Sequence, residues 1–196
     1  LNGFNGCVFA YGATGTGKTH TMLGATATSG LCSLALKDIY STSAEAEYQD
    51  YIFNVKVCYV EIYNEAIRDL LDGSKSNKYL DLRDDPNKGI EIAGVSEIEV
   101  KSEKEVVYAH EILTLLHQGN KRRTTEATNA NQTSSRSHAI FQVLIGKTEK
   151  SKNTTVEMNS SKLSLIDLAG SERGTSTGNR GIRMMEGAKI NRSLLA

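Results

Sequence analysis

Eight residues near the start of the chain, Gly12-Ala13-Thr14-Gly15-Thr16-Gly17-Lys18-Thr19, constrain the fold more than any other feature. They fit GxxxxGK[ST], a loop whose glycines let consecutive backbone N–H groups turn inward around a phosphate chain, ahead of a helix. Lys18 then supplies positive charge for the β- and γ-phosphates, and the Thr19 hydroxyl a ligand for Mg²⁺. The competing reading is a tight strand–helix turn with no ligand. Context decides between them. Cys7-Val-Phe-Ala-Tyr11 is a short apolar run bounded by glycines, the composition of a buried strand, and a helix is predicted from Lys18.

A second element lies far along the chain. Leu163-Ser-Leu-Ile-Asp167-Leu-Ala-Gly170 reads as an apolar strand ending in an aspartate. Alone, such an aspartate is a cap or turn residue. Beside a phosphate loop it is the group that holds the Mg²⁺ side of the site, and Gly170 is placed to offer its N–H to the γ-phosphate. Between the two elements, Asn131-Gln-Thr-Ser134-Ser135-Arg136-Ser137-His138 packs hydroxyls and a guanidinium ahead of a strand; on its own it is simply a polar loop.

The remainder is ordinary α/β material. Tyr51 to Tyr63 alternates as a long strand, with Ile67, Leu70 and Leu71 as a turn of helix or a continuation of it. Leu31 to Tyr40 and Ser102 to about His117 carry helical spacing, the latter behind a capping box, Ser102-Glu-Lys-Glu105. Turn-rich segments around residues 74–77 and 84–89 frame a small antiparallel hairpin. Ala139 to Lys147 and Leu163 to Ile166 are strands, joined by a polar loop. Strands and helices interleave, which predicts an α/β class with a layered sheet. At 196 residues the chain suits one domain, and 39% hydrophobic with 23% charged residues excludes a disordered or fibrous class. No apolar run approaches the ~18 residues of a membrane span. Cys7, Cys32 and Cys58 form no CxxC, which argues against a zinc knuckle or a disulfide scaffold and favours a reducing compartment. Formal charge is zero, but residues 1–98 carry net −5 and residues 99–196 net +5, a weak pointer to an acidic partner.

Three motifs in order, AYGATGTGKTHTM, NQTSSRSH and LIDLAGSE, resemble the kinesin motor domain over essentially the whole chain. Val57-Cys-Tyr-Val-Glu-Ile-Tyr-Asn-Glu65 and Glu186-Gly-Ala-Lys-Ile-Asn-Arg-Ser-Leu are also similar to that family, and residues 179–188 lean toward its eighth branch. The resemblance implies a three-layer αβα P-loop NTPase with a central mixed sheet. It further implies a partial domain running from the P-loop through switch II into the next helix. The N-terminal strand framing the adenine and the later tubulin-binding helices would lie outside, and the segment alone is expected to fold poorly. Ala66 stands where some kinesins have a lysine.

By resemblance, ATP and Mg²⁺ are the nucleotide and metal. Thr19 and Ser135 would ligate Mg²⁺, with Asp167 acting through water, while Ser134 would approach the γ-phosphate. Arg136 would pair with Glu172 to close the switch loops, and His20 would lie beside the adenine. Lys75, Arg83, Arg173, Arg183 and Arg192 would face tubulin. Microtubules in the cytoplasmic cytoskeleton are then the partner, with a homodimer formed through regions outside the segment, and neither nucleic acid nor a membrane is expected. A nucleotide-gated microtubule binder without motility is the alternative. A GTP switch also fits Asp167-Leu-Ala-Gly170, but the pairs Asn77-Lys78, Asn87-Lys88 and Asn120-Lys121 lack the aspartate of NKxD. In the full-length domain restored around this segment, Lys18→Ala is expected to abolish nucleotide binding, since the phosphates lose their main cationic partner; micromolar ATP binding by that variant in a calorimeter would overturn the P-loop assignment.

Overall fold

A computed structural model describes residues 1–25, 28–73, 79–86, 89–100, 105–125, 135–150 and 159–172. Its order is β1 (Gly6–Ala10), α1 (Lys18–Leu23), β2 (Gly24–Ala25), β3 (Thr28–Ser29), α2 (Leu31–Ser43), a 3₁₀ turn (Ala46–Tyr48), β4 (Tyr51–Tyr63), β5 (Ala66–Asp69), β6 (Tyr79–Asp85), β7 (Gly89–Ala93), β8 (Ile98–Glu99), α3 (Glu105–Thr125), β9 (His138–Glu149) and β10 (Asn159–Asp167).

Period-two alternation makes β4 the spine of the sheet. It pairs antiparallel with β9 from Tyr51↔Glu149 to Ile62↔His138, and β10 pairs antiparallel with the other edge of β9. β1 lies parallel to β10, giving the mixed order β1-β10-β9-β4-β5-β6-β7, with β8 also on β4. The odd-numbered side chains Val55, Val57 and Tyr59 share a face with Phe141, Val143, Ile145 and Leu165. Met22 and Leu23 of α1, Cys32 and Leu36 of α2 and Leu116 of α3 close over that face as one core. Burial on this scale is the main favourable term for a sheet of this size. The second helical layer of the expected αβα sandwich falls outside the described residues.

Several elements differ from the sequence reading, each for a local reason. The segment after Tyr63 is neither a helical turn nor a continuation of β4. Asn64 (φ 52°) and Glu65 (φ 69°) form a two-residue turn between the paired Tyr63 and Ala66, so the chain reverses into β5. Part of the Gly24–Gly30 stretch, expected as loop, pairs as β2 with β3. α3 extends to Thr125 rather than stopping near His117, because its last turns carry Arg122, bonded to the Leu70 carbonyl at 2.6 Å, and the buried Arg123. The 102–105 capping box lies largely outside the described residues.

Register places the chemistry. Ala10 is opposite Asp167, and Asp167 is opposite Ala139. The loop after β1, the loop after β10 and the segment entering β9 therefore meet at one end of the sheet. That end is the carboxyl end of the parallel pair, where ligands of open α/β sheets bind.

Gly119 of α3 packs against the Tyr59 ring. A Cβ there would come within 2.5 Å of Tyr59 Cδ1 and 3.4 Å of Leu70 Cβ. Helix propensity favours Gly→Ala by up to ~1 kcal/mol, but overpacking of a buried contact costs about 1–3 kcal/mol. Gly119→Ala is thus expected to lower the urea midpoint; a midpoint raised by the substitution would mean that α3 has slack against β4.

Candidate nucleotide and metal site

The phosphate loop takes the geometry its glycines allow. Gly15 (φ 84°) and Gly17 (φ 88°) sit in the left-handed region, where L side chains are strained, and Gly17 opens α1. Thr14, Gly15, Gly17, Lys18, Thr19, His20 and Ser135 line a cavity of about 310 Å³. Register thus brings Ser135 into the same cavity as the loop 116 residues before it. Gly12, Ala13 and Thr16 complete the loop: Thr16 donates its hydroxyl to the Ala13 carbonyl at 2.8 Å. Lys18 Nζ donates to the carbonyls of Gly12 and Ala13, both at 2.8 Å, so the ammonium is folded over the loop it serves. His20 is exposed at the rim, with Nε2 3.5 Å from the Thr28 hydroxyl.

Asp167 is buried beside Thr19 at the end of β10. Its Oδ2 accepts from the Thr19 hydroxyl at 2.6 Å and from Arg123 at 2.6 Å, while its Oδ1 is buried without a hydrogen-bond partner. An unpartnered buried carboxylate oxygen is costly unless something fills the gap. Together with the hydroxyls of Thr19 and Ser135 it makes an all-oxygen donor set, the chemistry Mg²⁺ selects, usually through retained waters. The residues present fit the ion.

Arg123 was given no role from the sequence, where Lys121-Arg122-Arg123 lies past the expected end of the helix near His117. In the structure it is 0% exposed. It donates to Asp167, to the Ser137 hydroxyl at 3.0 Å and to the Ser137 carbonyl at 2.7 Å. Its Nε lies 3.9 Å from Glu61, which in turn pairs with Arg68 at 2.7 Å. Glu61 did leave a readable signal, a charge on the buried, odd-numbered face of β4.

The loop after β10 is stitched to its neighbours by backbone donors. Leu168 N–H reaches the Ala10 carbonyl at 3.3 Å, and Ser171 N–H the Gly12 carbonyl at 3.1 Å. Gly170 N–H, read from sequence as a γ-phosphate donor, is bonded to the Ser135 carbonyl at 2.8 Å. Glu172 does not simply await Arg136: its carboxylate accepts from both the N–H and the hydroxyl of Thr14. Arg136 is partly buried in the turn before β9. Arg83 is exposed on β6, at the far hairpin. Ser134, Lys75, Arg173, Arg183 and Arg192 lie outside the described residues. The buried thiols of Cys32 and Cys58 are pushed up to about 12 by burial, so neither is a nucleophile at neutral pH.

His138 adds a latch that sequence reasoning did not assign. Its Nδ1 accepts the Ala169 N–H at 3.2 Å, which puts a neutral imidazole between the start of β9 and the loop after β10. Burial, helped by Arg123, holds its pKa below the ordinary 6.5. A folded-state pKa below the unfolded one means the unfolded chain binds more protons. Stability is therefore full above 6.5 and falls as pH drops toward the folded value. Urea midpoints at about pH 7.5 and about pH 5.5 should show His138→Gln losing less stability on acidification than the wild type. An equal loss would mean the imidazole is not the titrating latch.

The kinesin motor domain family model matches residues 1–196. Kinesin-like protein KIF19 of Xenopus laevis is 49% identical over 196 residues, KIN-8B of Arabidopsis thaliana 46% and KIF18B of Homo sapiens 46%. All of the chain is covered in each case, but it spans only 19% to 23% of those relatives. Two of the similar solved structures are KIF14 with ADP in complex with a microtubule (TM-score 0.79, 35% identity, 98% of this chain and 54% of that one) and a fast kinesin (0.79, 38%, 97% and 52%). With the family model matched along its whole length and relatives near half identical over all of it, the chain belongs to the kinesin motor domain family.

Proposed function

We propose that this segment is the nucleotide-hydrolysing part of a microtubule motor, a partial motor domain that binds Mg·ATP and passes loss of the γ-phosphate to its switch loops. The observation that carries the reading is that Thr19 and Ser135 line one cavity with Lys18, and that Thr19 is in turn hydrogen-bonded to the buried Asp167. Thr19, Ser135 and Asp167 would hold Mg²⁺, which supplies charge neutralisation for the phosphates.

The chain's own groups account for the rest by positioning and electrostatics. Lys18 exchanges the Gly12 and Ala13 carbonyls for phosphate oxygens. Gly170 exchanges the Ser135 carbonyl for the γ-phosphate, and Ser134 approaches the same group. Arg136 draws Glu172 across, closing both loops over an ordered water that attacks the γ-phosphorus, and Glu172 takes the proton through a second water. His20 flanks the base. On phosphate loss, Gly170 and the loop beyond it relax.

The filament is the proposed partner because KIF14, a structural neighbour, is described in complex with a microtubule. Arg83, Lys75, Arg173, Arg183 and Arg192 are the proposed contacts, cations that would meet an acidic surface. That neighbour's description as a dimer supports a homodimer formed outside this segment. Placed in the longer protein, Arg136→Ala and Glu172→Ala are each expected to bind ATP yet lose microtubule-stimulated turnover. Near-normal stimulated phosphate release by either variant would remove the switch-closing pair from the mechanism, and binding without stimulation in the wild type would favour a non-motile, nucleotide-gated microtubule binder.

A further inference from the structure

Thr14 and Glu172 are 158 positions apart, and the contact between them is not required by any motif. Glu172 Oε2 accepts the Thr14 N–H at 2.9 Å while Oε1 accepts the Thr14 hydroxyl. Thr14 belongs to the cavity lining with Lys18 and Thr19, and its amide is one that a phosphate chain would otherwise engage. A carboxylate is therefore seated on a loop built to hold anions. Burial acts to raise the Glu172 pKa, but the two Thr14 bonds and the nearby Lys18 charge outweigh it and keep the carboxyl below its usual range. The group is an anion at neutral pH.

Two independent features hold it there. The loop after β10 runs along the first part of the phosphate loop, Leu168 on Ala10 and Ser171 on Gly12, which delivers Glu172 to Thr14. Gly170 supplies the room: a Cβ at that position would collide with both Glu172 oxygens and with the Thr14 hydroxyl. Thr14 also lies against Gly170, the residue assigned above to the terminal phosphate, so its donors sit beside the place that phosphate would take.

We propose that Glu172 is a specificity-determining residue for the nucleotide's terminal phosphate: seated on Thr14, its carboxylate competes with the γ-phosphate of a nucleoside triphosphate and not with a diphosphate. The inference rests on the nucleotide-binding reading above. Entry of the third phosphate expels the carboxylate from Thr14, and the same two oxygens then become available to Arg136. No bond is made or broken; one anion replaces another on the same donors.

The test is calorimetric titration, with Mg·ADP and with Mg·AMP-PNP, a non-hydrolysable triphosphate, of the longer protein that carries this segment. In Glu172→Ala the ratio of triphosphate Kd to diphosphate Kd should fall on the order of tenfold, the scale of one charge-assisted hydrogen bond. Glu172→Gln, isosteric and uncharged, should move the ratio the same way. Thr14→Val, which keeps the amide and removes the hydroxyl, should move it less, and the Thr14→Val/Glu172→Ala pair no further than Glu172→Ala alone. A general packing role would change both affinities together and leave the ratio fixed. An unchanged or rising ratio in Glu172→Ala overturns the competition, while a folded wild-type protein of full length that binds neither nucleotide overturns the nucleotide site itself.

Discussion

A guanidinium sealed from water is the constraint on which the rest of this structure depends. Arg123 is 0% exposed, and its ion-pair partners Asp167 and Glu61 are buried with it. Charges of this kind are tolerated only when each is paired and hydrogen-bonded, and removing one partner strands the others at a cost of about 3–5 kcal/mol. Arg123 comes from α3, Glu61 from β4, Ser137 from the entry to β9, and Asp167 from the end of β10. One side chain therefore ties together the helix layer, the spine of the sheet and both loops at the cavity. The Asp167 oxygen that Arg123 and Thr19 share is fixed, and the other is buried without a hydrogen-bond partner.

This arrangement sets fixed partners beneath Thr19 apart from exchangeable ones around the phosphate loop. Below, Asp167 is held by two donors inside the core. Above, Lys18, Gly170 and Glu172 are each satisfied by groups they can exchange: loop carbonyls, the Ser135 carbonyl and Thr14. Partners of that kind cost little to trade, because a new hydrogen bond replaces each old one. A site that must answer to the presence of one phosphate needs this division, with fixed acceptors beneath and exchangeable ones around the edge.

Much of this was legible from residues alone, for a physical reason. The phosphate loop is local: its glycines, lysine and threonine are contiguous, so their meaning does not depend on the rest of the fold. The strand ending at Asp167 and the alternation of β4 are likewise local patterns, and both elements appeared where expected. What stayed hidden was long-range. Arg123 meets Asp167 across 44 positions and Glu172 meets Thr14 across 158, and nothing in a basic run or a lone glutamate announces its partner. The reversal at Asn64-Glu65 was missed because Glu at a positive φ is a poor turn former, so the strong β5 pairing, rather than propensity, closes the hairpin. α3 outran its expected end because buried contacts of Arg122 and Arg123 outweigh a weakening apolar repeat.

The strand register carries one more consequence. Sliding β10 by one residue against its neighbours would turn Asp167 away from the cavity and expose the core face of the strand; sliding by two would keep the faces but move the carboxylate about 7 Å. In either misalignment, Thr19 no longer meets it. Any ligand gripped by all three loops would then bind the correctly aligned sheet alone, and by mass action would draw misaligned chains toward it. Occupancy of the site would in that way act as a proofreader of the fold.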